Sequence, residues 1–293
     1  MSAGFDRGMQ RRYGSRIRGA GLVLSAAVAS AAAALLVARL GISRQAAIAR
    51  RRIGKPLGED ALDADRVWRP RLAGEPVELL LLGDSLAAGL GAQRRKETLG
   101  GRLAKGLARS LHRPVRLRTA AVVGSESPDL AGQLAALPPD YRPEVAVIVV
   151  GGNDVTHRIP VEVSVLHLDD ALNRLRERGA EVVVGTCPDL GALRPVPQPL
   201  RSIIARMSRR LADAQADTAR AAGAAPVDLR RSVGPMFFDE PEEMFSLDRF
   251  HPSALGYRRT ADALLPATAA AARTALAARG AEPISPPSSP AVR

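Results

Sequence analysis

Three side chains near two distant points of the 293-residue chain could do chemistry together. Ser85 follows a run of four leucines, and Asp248 and His251 lie three residues apart near the C-terminal end. A serine becomes a nucleophile when a base takes its proton, and that base needs a partner that orients it. An Asp and a His at this spacing on one loop can supply both groups. We therefore expect Ser85, Asp248 and His251 to act together as catalytic residues.

Other residues between these points could stabilise negative charge. Acyl transfer needs hydrogen-bond donors aimed at the oxygen on which the charge develops. The backbone amides of Ser85 and Gly124 and the side-chain amide of Asn153 are such donors. These three residues are therefore candidates for an oxyanion hole.

The motifs that carry these residues resemble the SGNH (GDSL-type) hydrolase family. Four blocks match in the order of the family, between residues 77 and 265: Gly83-Asp84-Ser85-Leu86, Gly124, Gly151-Gly152-Asn153-Asp154, and Asp248-x-x-His251. The second block departs from the pattern, because Val123 stands where many members have an Asn, and Ser125 could shift the register by one residue.

The resemblance implies a fold, a reaction and a role for each residue. The fold is a flavodoxin-like three-layer α/β/α domain, and the reaction is ester hydrolysis. Ser85 would be the nucleophile, His251 the general base and then the general acid, and Asp248 the residue that orients His251. Gly124 and Asn153 would complete the oxyanion hole with the Ser85 amide.

Hydrophobic patterning independently predicts an α/β domain. Strands are predicted over Val77–Leu82, Val115–Val123, Val145–Val150, Glu181–Thr186 and Ala225–Leu229. Helices are predicted over Leu99–Leu111, Asp129–Leu137, Val163–Arg178, Leu200–Ala222 and Ser253–Ala278. This alternation favours a mostly parallel five-stranded sheet with helices on both faces, whose site lies at the carboxyl ends of the strands.

Absent motifs argue against several other classes of protein. The single cysteine, Cys187, excludes an internal disulfide and a metal site built from cysteines. No G-x-S-x-G elbow occurs, which disfavours the α/β-hydrolase fold. Neither phosphate-binding glycine motif, G-x-x-x-x-G-K-[ST] or G-x-G-x-x-G, occurs. We expect neither a cofactor nor a metal.

The net charge of +12 is unevenly distributed. Residues 1–55 hold 11 basic groups against the single Asp6, so the rest of the chain is nearly neutral. A basic stripe with interleaved aromatic residues is also missing, so we do not expect a nucleic-acid partner.

The N-terminal region instead suggests a membrane or export role. A basic arm, residues 1–18, precedes twenty uncharged residues, Gly19–Ala38, which is long enough for a helix to span a bilayer. This segment could be a signal anchor, a cleaved signal peptide or a soluble alanine-rich helix. We expect a basic linker over 39–75, the hydrolase domain over 76–279 and a disordered tail over 280–293. The expected location is the cell envelope, with the catalytic domain outside.

Four of the nine aromatic residues lie within fourteen residues before His251: Phe237, Phe238, Phe245 and Phe250. They could pack the last helix onto the sheet, or they could form an apolar wall for an acyl chain. The expected substrate is a small-molecule ester, with lipid-like esters slightly favoured over acetylated carbohydrates and thioesters. A catalytically silent envelope binding protein is the alternative outside enzymes. The sequence indicates no oligomeric state.

Overall fold

The computed structural model describes residues 30–58 and 60–281. The chain divides into two compact units, Met1–Arg51 and Arg52–Arg293. The described part of the first unit is helical and belongs to helix α1, Ser30–Ile53. By length and composition α1 could cross a membrane, and its most apolar stretch is exposed. Length and composition are weak evidence for a membrane-spanning helix, because signal sequences share both properties.

Helix α1 overlaps two of the predicted N-terminal segments. Residues 19–29 of the predicted apolar segment lie outside the described residues. The predicted linker begins at residue 39, yet the chain stays helical to Ile53. The helix ends where Gly54 adopts a left-handed backbone with a φ of 60° and Pro56 follows. Before Gly54, only Gly41 interrupts a run of side chains that tolerate a helix.

The second unit is built on one six-stranded sheet with the order β1-β3-β2-β4-β5-β6. All neighbouring strands are parallel except β1 and β3. The strands are β1 Arg66–Trp68, β2 Val77–Gly83, β3 Val115–Thr119, β4 Val145–Val149, β5 Glu181–Gly185 and β6 Ala225–Val227. The predicted count of five strands was wrong, because β1 lies inside the predicted linker. A three-residue strand is too short to show an alternating pattern.

Helices cover both faces of this sheet, so the predicted three-layer α/β/α fold is confirmed. Alternate residues of a strand point to opposite faces. Leu79 and Leu81 pack in the core cluster that contains residues of α3 and α11, whereas Leu80 and Leu82 pack in the cluster that contains residues of α4 and α6. All four leucines are completely buried. The helices of this unit are α2 Ser85–Ala88, α3 Leu99–Leu111, α4 Leu130–Ala135, α5 Gly152–His157, α6 Val161–Glu177, α7 Leu200–Ala221, α8 Leu229–Ser232, α9 Gly234–Asp239, α10 Pro241–Met244 and α11 Ala254–Ala281.

The parallel arrangement brings two sequence motifs to one edge of the sheet. Strands β2 and β4 are neighbours, and Gly83 pairs with Val149 in their register. The chain leaves β2 at Gly83 and leaves β4 at Val149, so Ser85 and Asn153 follow adjacent strand ends. This edge is where open α/β sheets bind their ligands.

Candidate active site

A tight turn after β2 presents Ser85 at the edge of the sheet. Gly83 has a φ of 127°, and a Cβ atom there would lie 1.8 Å from the Val149 carbonyl oxygen. Only glycine fits this position. The Asp84 amide then donates to the same Val149 oxygen at 3.0 Å, and the Asp84 carboxylate caps α2 by accepting from the Leu86 amide at 2.9 Å. Ser85 therefore stands at the first position of a short helix.

Ser85, His251 and Asp248 form one chain of hydrogen bonds. The Ser85 Oγ and His251 Nε2 atoms are 2.9 Å apart, and His251 Nδ1 lies 2.5 Å from Asp248 Oδ2. With the imidazole proton on Nδ1, the ring donates to the carboxylate and accepts from the serine hydroxyl. The structure thus brings together three residues that are separated by up to 166 positions.

The environment of Asp248 keeps its carboxylate ionised. Burial raises the pKa of this group, but the hydrogen bond from the His251 side chain and the backbone amides of His251 and Phe250 outweigh burial and lower the pKa below its usual value. Both amides donate to Asp248 Oδ1 at 3.0 Å. One oxygen of Asp248 therefore shapes the loop, while the other orients the imidazole.

The loop that carries His251 is fixed at both ends. The Ser246 amide donates to the His251 carbonyl at 2.7 Å, and Arg249 between them has a left-handed backbone with a φ of 56°. Gly91 lies against the far side of the loop, where a Cβ atom would come within 2.9 Å of the Pro252 carbonyl oxygen. The buried Tyr257 hydroxyl donates to the Leu90 carbonyl at 2.7 Å. These contacts fix the loop against the segment that follows α2.

The two predicted oxyanion residues lie in different surroundings. Asn153 lines the same cleft as Ser85, and its side-chain nitrogen donates to the Ser125 carbonyl at 2.9 Å. Gly124 is exposed, has a φ of 87° and lines a neighbouring cavity together with Ser125 and Gln133. The structure thus brings Asn153 into the cleft, whereas Gly124 is not among the described residues that line it.

Strand β3 ends earlier than predicted, which explains the position of Gly124. The strand stops at Thr119 rather than Val123, although the Ala120 and Val122 amides still donate to β2 at Leu81 and Gly83. Strand β2 itself ends at Gly83, so the chain beyond Val122 has no partner strand. Gly124 therefore lies on a loop.

Gln133 holds two parts of the candidate site in register, and sequence reasoning missed it. Its side-chain oxygen accepts from the Gly83 amide at 2.9 Å, and its nitrogen donates to the Gly83 carbonyl at 2.8 Å and to Ser125 Oγ at 3.1 Å. Only 5% of Gln133 is exposed. The available signal was a polar residue on the apolar face formed by Leu130 and Leu134.

Gln215 plays the same role at the next strand ends. Its nitrogen donates to the Val150 carbonyl at 2.9 Å, and its oxygen accepts from the Cys187 amide at 2.7 Å. The Cys187 thiol is buried, and burial raises its pKa well above the usual value. It therefore stays a neutral packing group.

Two buried carboxylates lie beneath the site. Burial raises the pKa of Asp84 to about 6, although the Leu86 and Gly152 amides that donate to it act in the opposite direction. Asp154 is completely buried and accepts from the Ser127 amide and from Ser164 Oγ, the latter at 2.6 Å. These carboxylates tie together the backbone turns that present Ser85 and Asn153.

Three of the four clustered phenylalanines line the cleft of Ser85. Phe237 and Phe245 meet edge to face with ring centroids 4.9 Å apart, and Phe250 packs edge to face on His251 at 4.8 Å. Phe238 was predicted to belong to this wall but lines a separate groove and is 36% exposed. Phe238 follows Phe237 on α9, and successive residues of a helix point about 100° apart, which lets the two rings line different cavities.

The described residues contain no cluster of three or more His, Cys, Asp or Glu side chains that could hold a metal ion. At this edge of the sheet a hydrogen-bonded serine, histidine and aspartate lie beside an apolar cleft.

Comparison with known proteins agrees with this geometry. Residues 81–259 match the sequence profile of the GDSL-like lipase/acylhydrolase family. The chain belongs to this family. A curated relative, the GDSL-like esterase Rv1075c of Mycobacterium tuberculosis, is 44% identical over 201 residues, which cover 67% of this chain and 63% of the relative. The chain thus matches less than two thirds of that relative's length.

Solved structures share the fold of the second unit. TesA is 25% identical with a TM-score of 0.53, and the match covers 66% of this chain and 99% of TesA. The acetyl xylan esterase AlAXEase is 20% identical with a TM-score of 0.52, and the match covers 65% of this chain and 99% of that enzyme. Both matches leave about a third of this chain outside the shared domain.

Proposed function

We propose that this family member is a serine esterase that hydrolyses carboxylic esters through an acyl-enzyme on Ser85. The observation that carries the proposal is the hydrogen-bonded chain from Ser85 Oγ through His251 to Asp248. With the imidazole proton on Nδ1, each link has the direction that proton transfer from the serine to the imidazole requires. The named activity of the curated relative is consistent with this reaction.

In the first half of the reaction, Ser85 Oγ attacks the ester carbonyl while His251 Nε2 takes the hydroxyl proton. The positive imidazolium is stabilised by the ionised Asp248, 2.5 Å from Nδ1. The imidazolium then gives the proton to the leaving alcohol oxygen, the ester bond breaks and the acyl group stays on Ser85. This step needs the Asp248 pKa to remain low, and the hydrogen bonds described above keep it so.

In the second half, His251 takes a proton from water as that water attacks the acyl carbonyl. The bond to Ser85 Oγ breaks, the proton returns to Ser85 and the carboxylic acid leaves. The negative oxygen of both tetrahedral intermediates accepts from the Ser85 amide and from Asn153. The Asn153 nitrogen carries two hydrogens, and only one of them is used by the Ser125 carbonyl. The Gly124 amide would join them after a movement of its loop toward the cleft.

The lining of the cleft favours an apolar acyl group. Leu190, Leu193 and Val233 extend the wall begun by Phe237 and Phe245. Burying an acyl chain against these side chains would stabilise binding by about 0.8 kcal/mol for each methylene group. A short acetyl group on a carbohydrate is the second candidate, and the fold shared with an acetyl xylan esterase favours it.

A series of p-nitrophenyl esters of increasing acyl length tests both the reaction and the substrate class. We expect the full chain to release p-nitrophenol from all of them, with kcat/KM rising from acetyl to longer chains, and we expect Ser85→Ala to abolish release. A steep fall beyond acetyl would favour the deacetylase. A folded wild type that hydrolyses none of the esters would favour a binding protein.

We further propose that the N-terminal region holds the enzyme at the cell envelope, with the catalytic unit outside. The support is the exposed apolar helix α1, together with the basic residues that precede and follow the uncharged segment.

A further inference from the structure

A second depression lies beside the cleft, on the other side of a shared wall. Leu190 and Ala192 line the cleft, whereas Gly191 between them lines this depression, which we call the arginine groove. Likewise, Phe237 lines the cleft and Phe238 lines the arginine groove. The Phe238 ring rests on the backbone of Gly191, where a Cβ atom would lie 3.3 Å from the end of the ring.

Four arginines line the groove: Arg194, Arg201, Arg206 and Arg209. No carboxylate is among the described residues that line it. Arg209 pairs with Asp189 at 3.2 Å, and Arg194 donates to the Phe238 carbonyl at 3.1 Å. Arg201 and Arg206 have no ion pair with any described residue. Asp239 follows Phe238 in the chain but is not part of the lining.

This concentration of charge contrasts with the rest of the catalytic region, which is nearly neutral. Like charges gathered around one groove repel one another, and an anion between them would relieve that repulsion. Guanidinium groups bind phosphate oxygens in pairs of parallel hydrogen bonds, which gives geometric specificity as well as energy. The neutral donors Gln198 and Ser202 lie in the same lining.

We propose that the arginine groove is a binding site for a phosphate group, either free or in a lipid headgroup. The apolar neighbours Phe238 and Ile203, 36% and 41% exposed, would accept an apolar portion of the same ligand. Ile203 lies three residues before Arg206 on α7, and residues at this spacing are neighbours on a helix surface. The proposal goes beyond ester hydrolysis and does not depend on it.

A fluorescent label beside the groove reports binding without any catalytic readout. Cys187 is the single cysteine and is completely buried, so Ile203→Cys creates one reactive thiol for an environment-sensitive dye. The labelled full chain would be titrated with inorganic phosphate against chloride at equal ionic strength. In a second arm it would be mixed with phosphatidylglycerol or phosphatidylcholine vesicles. A dye at Leu166→Cys, on the exposed surface of α6, is the positional control.

We expect a saturable change at position 203 that chloride does not produce. A response to inorganic phosphate identifies a soluble ligand, and a response confined to phosphatidylglycerol vesicles identifies a headgroup. Adding Arg201→Gln and Arg206→Gln should raise the half-saturating concentration at least roughly tenfold, because each lost guanidinium removes charge-assisted hydrogen bonds. The exposed pair Arg109→Gln and Arg259→Gln, on α3 and α11, should leave it unchanged.

Four results would overturn the proposal. They are no response to either probe, an equal response to chloride, an equal response at position 166, and an unchanged response after both groove arginines are replaced. An absence of esterase activity alone would contradict the proposed function and leave this binding result intact.

Discussion

The two ring nitrogens of His251 contact different partners and have different roles. Nδ1 lies against Asp248 and Nε2 against Ser85. Because Asp248 also accepts from the two backbone amides that follow it, the carboxylate sets both the loop conformation and the tautomer of the ring. The loop and the imidazole are thus coupled through one side chain.

Replacing Asp248 by Asn separates these two effects. The Asn oxygen can still accept from the Phe250 and His251 amides, but its nitrogen cannot accept from Nδ1, so the ring loses the required tautomer. We expect Asp248→Asn to fold with nearly wild-type stability and to lose about 10⁴-fold in kcat. Denaturant titration and ester hydrolysis measure the two quantities. Wild-type kcat in the folded variant would contradict the assigned role.

Asp84 predicts a pH dependence of stability. Burial raises the pKa of the Asp84 carboxyl from its usual value of 3.8 to about 6, so the folded state binds a proton more tightly than the unfolded state does. Stability is therefore lost as the pH rises from about 4 to about 6, by roughly 3 kcal/mol in all at 1.36 kcal/mol per pKa unit. Asn at this position cannot ionise, so Asp84→Asn should lack this loss.

Chemical denaturation of the wild type and of Asp84→Asn between pH 4 and pH 8 measures the difference. The exposed Asp140→Asn is the matched control and should follow the wild type. An identical pH dependence of stability in wild type and Asp84→Asn would show that the Asp84 carboxyl is not held in a protonated form by burial.

Sequence spacing predicted the residues whose chemistry depends on type. Ser85, Asp248, His251 and Asn153 were all expected at one edge of the sheet. In the structure Ser85, Asn153 and His251 line one cleft, and Asp248 is hydrogen-bonded to His251. Gln133 was missed because a glutamine side chain is not typical of any reaction. Its role depends on which backbone groups contact it in the folded chain.

At the scale of elements, the turn between β2 and α2 is the most constrained feature of the site. The strand brings the chain to the sheet edge, Gly83 forms the turn beside Val149, and Asp84 caps the helix that follows. The bidentate contact from Gln133 on α4 then fixes Gly83 from the opposite side. Three elements thus determine the position of one serine.

Replacing Gly83 by alanine tests how tightly this turn is packed. In Gly83→Ala the new Cβ would collide with the Val149 carbonyl at 1.8 Å, and the φ of 127° is unfavourable for alanine. We expect a loss of stability of at least about 4 kcal/mol, or failure to fold, because the clash adds to the backbone strain. In Gly132→Ala, on α4, open space surrounds the new methyl group, and we expect a gain of about 0.5–1 kcal/mol.

Free energies of unfolding from urea titration distinguish the two variants. Equal stability of Gly83→Ala and Gly132→Ala would contradict the tight packing of β2 against β4 at this turn.

Long elements were predictable from patterning, whereas several short ones were not, with α4 and β6 as exceptions. Helix α3 was predicted with its observed bounds, and the start of α7 was predicted to the residue. Strand β1 and the short helices α2, α5, α8, α9 and α10 were missed, because three to six residues hold less than two periods of a helical or strand pattern. Their conformations depend on caps and tertiary contacts instead.

At the scale of the whole molecule, the excess positive charge and the candidate catalytic residues lie in different parts of the chain. The basic excess of residues 1–55 surrounds an apolar segment, while the catalytic unit is nearly neutral apart from local features such as the arginine groove. The sequence predicted this division from charge counts alone. It could not predict the groove, because its arginines converge only when α7 and the loop before it are folded.

Fractionation of cells that express the full chain tests the envelope location. We expect the enzyme in the membrane fraction, resistant to a high-salt wash, because an inserted helix is held by apolar burial rather than by charge. Mass spectrometry of its N-terminus distinguishes a retained anchor from a cleaved signal peptide. A soluble protein with an intact N-terminus would contradict the anchor.

The most direct test of the central claim is covalent labelling of Ser85 by a fluorophosphonate. The account predicts that the folded wild type is labelled at Ser85, that Ser85→Ala is not labelled, and that Asp248→Asn is labelled far more slowly. A folded wild type that resists the probe, or one labelled equally after Ser85→Ala, would contradict the assignment of Ser85 as the nucleophile.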